Sequence, residues 1–317
     1  MGLSDSPGGV GLNPRIVSRA QAAYLGVALG DALGATVEFM TPGEIRRQHG
    51  VHREMRGGGW LGLKVGQVTD DTAMSLALGK AILANGGRVE PLACAQAFDA
   101  WMRSKPIDIG NTVRRNLVAF RRSGNPVAAP SEHDAGNGAA MRVLPAALAT
   151  LERPEFEVMS AVCAQAHVTH NNPSSDAACA FLAFTVQDFV HGESLRAVYR
   201  HRVAPFVAAH PEFAFRRRRR VNPSGWIVET MQVVMQSLLD TDSFEDCVVD
   251  AANRGGDADT TAAIAGMLAG ALYGLDSLPV RWLVALDPHV RRECGEQASA
   301  LLACADTSAS SCARRPV

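Results

Sequence analysis

Two short acidic clusters hold the residue types best suited to chemistry. Thr69-Asp70-Asp71-Thr72 and Gly256-Asp257-Ala258-Asp259-Thr260 lie far apart in a 317-residue chain, yet each opens a stretch of small apolar residues. A carboxylate pair at a helix mouth can cap the first-turn amides, complement the helix dipole, bind a cation, or combine these roles. Asp carboxylates and Thr hydroxyls are hard oxygen donors, suited to Mg²⁺ or Mn²⁺ and not to zinc or copper. Taken singly, each cluster leaves capping and cation binding open. Because the cluster recurs, the expectation is that the two helix mouths face each other and share metal ions. Two ions about 3.5–4 Å apart can orient a substrate's hydroxyls and lower the pKa of a bound water.

Other residues could line such a site. Asp108, in the loop Pro106-Ile107-Asp108-Ile109-Gly110-Asn111-Thr112, is either a turn residue or an acid, base or ribose ligand. Gly136-Asn137-Gly138 precedes a segment with helical character, so its amides could receive a phosphate; an ordinary helix-entry turn fits equally. His167 and His170 sit three apart at a helix end. With no further ligand at the usual spacing a zinc site is not expected, and His170 alone in a cleft is the better functional reading. Arg216 to Arg220 is a solvated stripe or a contact for an acidic partner. The chain has no P-loop, no Gly-x-Ser-x-Gly and no dinucleotide fingerprint.

The elements that must position these residues are helices. Hydrophobic residues make up 47% of the chain but aromatics only 6%, so the core has to be built from Ala, Leu, Val and Gly, which favours closely packed helices. Strand-like alternation is absent. Helices are expected over 18–34, 72–85, 91–103, from 112 to about 123, and over 139–150, 155–170, 173–191, 194–210, 226–239, 243–253, 262–274, 279–286 and 290–303. Gly26, Gly30 and Gly34 form a stripe on the first helix, so something should pack closely there; Asp31 lies within it. Residues 41–66 read as irregular, with Gly57-Gly58-Gly59 the most mobile part. The expected architecture is one compact all-α domain over 16–304, with flexible tails at 1–15 and 305–317.

Composition narrows the function classes. A formal net charge of −1 gives no electrostatic case for nucleic-acid binding. The seven cysteines are scattered without a Cys-x-x-Cys pair, which argues against a disulfide framework or a thiolate zinc site and for a cytoplasmic location. No apolar run is long enough to span a bilayer.

Taken together, Gly-Val-Ala-Leu-Gly-Asp-Ala-Leu-Gly followed by Glu38, Thr69-Asp70-Asp71-Thr72, Gly136-Asn137-Gly138 with Met141-Arg142, Thr169-His170, and Gly256-Asp257-Ala258-Asp259-Thr260 resemble, in order, the motifs of the ADP-ribosylglycohydrolases. Asp108-Ile109-Gly110-Asn111-Thr112 points within that family to bacterial members acting on dinitrogenase reductase. The resemblance implies an all-α fold with a dinuclear Mn²⁺ or Mg²⁺ centre in a cleft. It implies Thr69, Asp70 and Asp71 as metal ligands on one side and Asp257, Asp259 and Thr260 on the other, with Asp259 bridging. Glu38 matches a glutamate close to the metals that could hold a water there. Asp108 matches an acidic residue acting on the ribose, Asn111 and His170 match cleft residues, and Gly136 to Gly138 match a segment touching ADP-ribose. The implied reaction removes ADP-ribose from an arginine side chain, the target being the nitrogenase iron protein. Implied partners are a PII signalling protein and an ammonium channel that recruits the protein to the membrane. Alternatives within the resemblance are another ADP-ribosyl linkage (serine, polymer or small molecule) and a non-catalytic ADP-ribose binder.

Overall fold

A computed structural model describes residues 13–216 and 218–312, the side chains of 306–312 excepted. Its helices are α1 Pro14–Gly34, α2 Pro42–His49, α3 Asp70–Ala84, α4 Pro91–Arg103, α5 Asn111–Ser123, α6 Leu144–Ala149, α7 Glu155–Ala166, α8 Pro173–Val190, α9 Leu195–Val198, α10 Ala204–Ala209, α11 Ile227–Asp240, α12 Phe244–Ala252, α13 Ala258–Tyr273, α14 Val280–Ala285 and α15 Pro288–Cys312. A π-turn, Tyr199–Val203, joins α9 to α10. Among the described residues there are no strands, only the isolated bridges Gly58–Leu63 and Gly136–Trp226.

The centre is an antiparallel pair, α1 against α13. A Cβ placed on Gly26 would lie 2.1 Å from the Gly266 carbonyl, on Gly30 2.1 Å from that of Ala262, and on Gly34 2.3 Å from that of Ala258. The glycine stripe therefore exists because the two backbones touch, at a separation no side chain permits. Both helices are buried on nearly every side, and α3, α8, α11, α12 and α15 pack around them. The antiparallel register sets the C-terminal end of α1 beside the N-terminal end of α13. Asp31 and Glu38 are thereby brought to Asp257, Asp259 and Thr260.

α3 completes the arrangement. Thr69 is its N-cap residue but makes no side-chain capping bond. Asp31, reaching across from α1, accepts from the Thr69 and Thr72 amides (3.0 and 3.1 Å) and from both their hydroxyls (2.9 and 2.6 Å). One buried carboxylate thus caps a helix that is not its own, leaving Asp70 and Asp71 free for other partners.

Several boundaries differ from expectation. α1 begins at Pro14, because Asn13 accepts from the Arg15 amide and Pro14 suits the first helical position. Residues 42–49 form α2 where an irregular stretch was expected; Thr41 and Glu44 make a capping box ahead of a charged helix that buries only Ile45. Gly57 to Gly59 all have positive φ, and a Cβ on Gly59 would lie 2.6 Å from the Ala35 carbonyl, so this stretch is packed on the end of α1. Residues 139–142 are turns, and α6 is shorter than expected. α13 starts at Ala258, which brings Asp259 and Thr260 into its first turn. α15 continues to Cys312, past the expected end at 303. Of the two expected flexible tails, residues 1–12 and 313–317 lie outside the described residues.

Candidate metal centre and substrate cleft

The site sits where three chain turns converge on the mouths of α3 and α13. The turn after α1 carries Glu38 and is tied to the turn before α13 by two backbone bonds, Phe39 N to Gly256 O (2.7 Å) and Gly256 N to Met40 O (3.0 Å). Gly255 and Gly256 have φ of 70° and 66°, and a Cβ on Gly256 would meet the Pro223 carbonyl at 2.1 Å. A third segment, Pro223 to Trp226, binds the Asp257 amide through Pro223 O and the Asn137 amide through Gly225 O. These bonds bring residues 36–40, 136–138, 222–226 and 255–260 into one wall.

Carboxylates from both acidic clusters meet in this wall. Oxygens of Glu38, Asp108 and Asp259 all lie within 4.8 Å of one another. The Thr260 hydroxyl reaches Asp71 Oδ2 at 3.3 Å, linking α13 to α3, and Thr69 Oγ1 contacts the same oxygen at 3.2 Å. Asp257 accepts from Asn137 Nδ2 at 2.6 Å. Glu38 accepts from the indole of Trp60 at 2.6 Å.

The electrostatics are one-sided. Burial raises Asp31 to about 6, Asp70 to about 7 and Glu38 to about 8, and neighbouring carboxylates add to the shift of Asp70 and Glu38. Asp71 and Asp259 are pushed well above the usual carboxylate range for the same two reasons, and Asp257 is raised as well. Buried Arg142 feels the charge of Asp70, but among the described residues none of these carboxylates forms an ion pair with an arginine or lysine. Asp71 Oδ1 is buried without a hydrogen-bond partner. Buried carboxylates at this density are costly unless a cation pairs them. The donors are all oxygens, so the residues present fit Mg²⁺ or Mn²⁺.

The carboxylates open onto a cleft of about 680 Å³, within the ~300–1,000 Å³ typical of small-molecule sites. Glu38, Asp70, Asp108, Asn111, Gly136, Asn137, Gly138, His170, Asp257, Asp259 and Thr260 all line it. Thr69 and Asp71 lie buried beneath, within the hydrogen-bond network just described. His170 is buried; a Cβ on Gly138 would touch its ring at 2.8 Å, so Gly138 is glycine to admit the imidazole. Arg142, fully buried over the Phe98 ring, donates to the Thr169 hydroxyl at 2.7 Å. That hydroxyl is 2.8 Å from His170 Nδ1, a contact that fixes the ring's orientation. Burial and the charges of Arg142 and Arg115 lower His170 to about 3, keeping it neutral.

This geometry bears on three expectations. The Asn137 amide is already bonded to Gly225 O (3.0 Å) and no helix starts until Leu144, so the Gly136 to Gly138 turn is not a helix-mouth phosphate cradle. Its contribution to the wall is the Asn137 side chain on Asp257. His167 and His170 do not converge: His167 Nε2 binds Asp176 at 2.9 Å, while His170 turns to Thr169. The arginine stripe is exposed at Arg216, Arg218 and Arg219, as a solvated stripe would be, and it also makes contacts within the molecule. Arg219 pairs with Asp250, Arg220 with Glu229, and Arg216 stacks on Tyr199, while Arg217 lies outside the described residues.

Other contributors were not picked out from sequence. The role of Asp31 depends on a partner helix, although its place in the glycine stripe was visible. Trp60 and Phe39, 5.4 Å apart at the cleft rim, come from a stretch that looked irregular. Asn222 to Gly225 read only as a turn.

An all-helical domain with a buried acid cluster under a deep cleft defines a class of metal-dependent glycohydrolase. The family model for ADP-ribosylglycohydrolase matches residues 12–310, and the chain belongs to that family. It is 50% identical over 292 residues, 92% of this chain and 98% of the other, to the ADP-ribosyl-[dinitrogen reductase] glycohydrolase of Rhodospirillum rubrum. It is 31% identical over 283 residues, 84% of this chain and 75% of the other, to the ADP-ribosylarginine hydrolase Tri1 of Serratia proteamaculans. A solved structure described as an ADP-ribosylglycohydrolase-related protein complex superposes with a TM-score of 0.82 at 33% identity, covering 92% of this chain and 100% of that one. Among the described residues no helix is long and apolar enough to cross a membrane.

Proposed function

We propose that the protein is a metal-dependent hydrolase that removes ADP-ribose from an arginine side chain of a target protein, and that the target is dinitrogenase reductase, the iron protein of nitrogenase. The observation that carries the reading is the set of buried carboxylates without an ion-pair partner under one cleft, with half-exposed Asp108 at their edge. The Rhodospirillum relative, named for dinitrogenase reductase and 50% identical, supports the choice of target. A PII signalling protein and an ammonium channel belong to the same reading, as partners of a cytoplasmic enzyme.

Thr69, Asp70 and Asp71 on the α3 side and Asp257, Asp259 and Thr260 on the α13 side would hold the ions. When bound, Mn²⁺ or Mg²⁺ supplies Lewis acidity toward the ribose hydroxyls and a water. The chain's own groups do the rest. Glu38, steadied by the Trp60 indole, accepts a hydrogen bond from the attacking water and orients it. The water oxygen bonds to the ribose C1 as the C1–N bond breaks, and that electron pair goes to the departing guanidine nitrogen. Asp108 carries the proton from the water to that nitrogen. His170, kept neutral by its burial, and Asn111 hold the substrate against the Gly136 to Gly138 wall.

The test is ADP-ribose release from arginine-modified dinitrogenase reductase, with Mn²⁺ and after chelation. Release should require metal, fall at least 100-fold in Asp259→Ala through lost metal, and fall comparably in Asp108→Asn with metal still bound. Release only from a serine-linked substrate would move the activity to another linkage. Full turnover by metal-loaded Asp108→Asn would remove its assigned role.

A further inference from the structure

We propose that Cys163, His167 and Asp176 form a second metal site, separate from the acidic cleft, for a borderline divalent ion of the Zn²⁺ class. Their ligand atoms all lie within 4.8 Å of one another and all three residues are half-buried. Cys163 and His167 are one turn apart on the same face at the end of α7, and Asp176 stands in the first turn of α8. His167 Nε2 sits 2.9 Å from both Asp176 oxygens, so the imidazole and carboxylate already face each other beside Cys163. Tetrahedral bonds of about 2.0–2.3 Å put ligand atoms roughly 3.3–3.8 Å apart, so binding needs only a small opening of the His–Asp contact.

The donor chemistry separates this site from the cleft. A thiolate, an imidazole and one carboxylate suit zinc, whereas the cleft offers only oxygens. Three protein ligands leave a fourth position open, and Cys179, one turn beyond Asp176, lies close enough to feel the charges of Asp176 and Cys163. Asp176 has no lysine or arginine in ion-pairing range among the described residues; His167 is its partner. Burial pushes the Cys163 thiol up to about 11, so without metal it is protonated and not a nucleophile. Binding would release that proton to solvent. Zinc is not expected from the sequence because His167 pairs with His170 there and no third ligand is found for them; the carboxylate arrives from the next helix.

Occupancy would clamp the end of α7 to the start of α8. The turn between them carries Thr169 and His170, and the His167 carbonyl also receives the Ala128 amide at 2.8 Å. The site would therefore brace the cleft wall from outside without touching substrate.

The test uses the full-length protein with its cleft first saturated with Mn²⁺, then titrated with Cd²⁺ or Co²⁺, and separately with Zn²⁺. One equivalent of Cd²⁺ should give a thiolate-to-metal absorption band, and one equivalent of Zn²⁺ should raise Tm by several degrees. Cys163→Ser should abolish the band, and His167→Gln and Asp176→Asn should each weaken binding at least tenfold. Mn²⁺-dependent ADP-ribose release by Cys163→Ser should equal that of the parent. Absence of the band at one equivalent would overturn the proposal, and so would a band that survives in Cys163→Ser. Unchanged affinity in both His167→Gln and Asp176→Asn would reduce the site to a lone thiol. If His167→Gln does not fold, the other two variants decide. Because the readout is spectroscopic, its failure is distinct from failure of the proposed hydrolase activity.

Discussion

Trp60 donates its indole N–H to Glu38 at 2.6 Å, although the ring is more than half exposed. A surface tryptophan gains little by burial here, so its value to the site lies in fixing one carboxylate of the cluster. Phe39 beside it has a φ of 61°, an unfavourable conformation for a bulky residue, and is held there by its bond to Gly256. Trp60→Phe keeps the ring and removes only the donor. A hydrogen bond to a charged group is worth roughly 1.5–3 kcal/mol, so turnover should fall about tenfold or more with the fold unchanged. Steady-state release of ADP-ribose together with near-ultraviolet circular dichroism would check this. Wild-type turnover in Trp60→Phe would mean that Glu38 needs no such support.

At the scale of elements, the α1–α13 contact decides where the carboxylates stand. Gly30→Ala would place a methyl 2.1 Å from the Ala262 carbonyl, so the helices must separate. Overpacking of this kind costs about 1–3 kcal/mol. Because Asp31 follows directly and Asp259 lies across the contact, Mn²⁺ affinity should fall along with Tm. Gly295→Ala is the control: its Cβ meets nothing within 4 Å, and on α15 it should leave both unchanged or raise Tm slightly. Thermal melts with and without Mn²⁺ would compare them. Equal melting temperatures for the two variants would show that the helices can part without cost. α2 makes a different point about elements. Its capping box was written in Thr41 and Glu44, but a short charged helix with one buried residue has no apolar period to reveal it.

For the whole molecule, the acid cluster makes stability depend on pH and metal together. Asp31, Asp70 and Glu38 are raised to about 6, 7 and 8, above their unfolded values near 4. A raised carboxylate contributes stability that is full below its unfolded pKa and is lost as pH rises through the folded one. The metal-free protein should therefore lose stability between about pH 5 and 8. A cation favours the ionised carboxylates, so Mn²⁺ should stabilise more at pH 8 than at pH 5.5. Urea melts at the two pH values, with and without Mn²⁺, would measure the difference. A metal-free protein equally stable at both would mean that the carboxylates repel one another less than their packing implies.

Local sequence by itself determined the helical class, most helix limits and the residues around the cleft. Helical period, Pro at first positions and Asp–Thr pairs are signals carried within a few residues. Pro91–Arg103 and the Ser243 cap of α12 were legible for that reason. Glu38, Asp108 and His170 came from the motif order, and the fold brings each of them to the same cleft. Only the tertiary structure decided which residues serve others. Asp31 caps α3 from another helix, the Asn137 side chain reaches Asp257, and His167 binds Asp176 at the start of the next helix. Each of these pairings joins elements far apart in the chain or on different helices. Their distances follow from how whole helices and turns pack against one another, which no local pattern encodes.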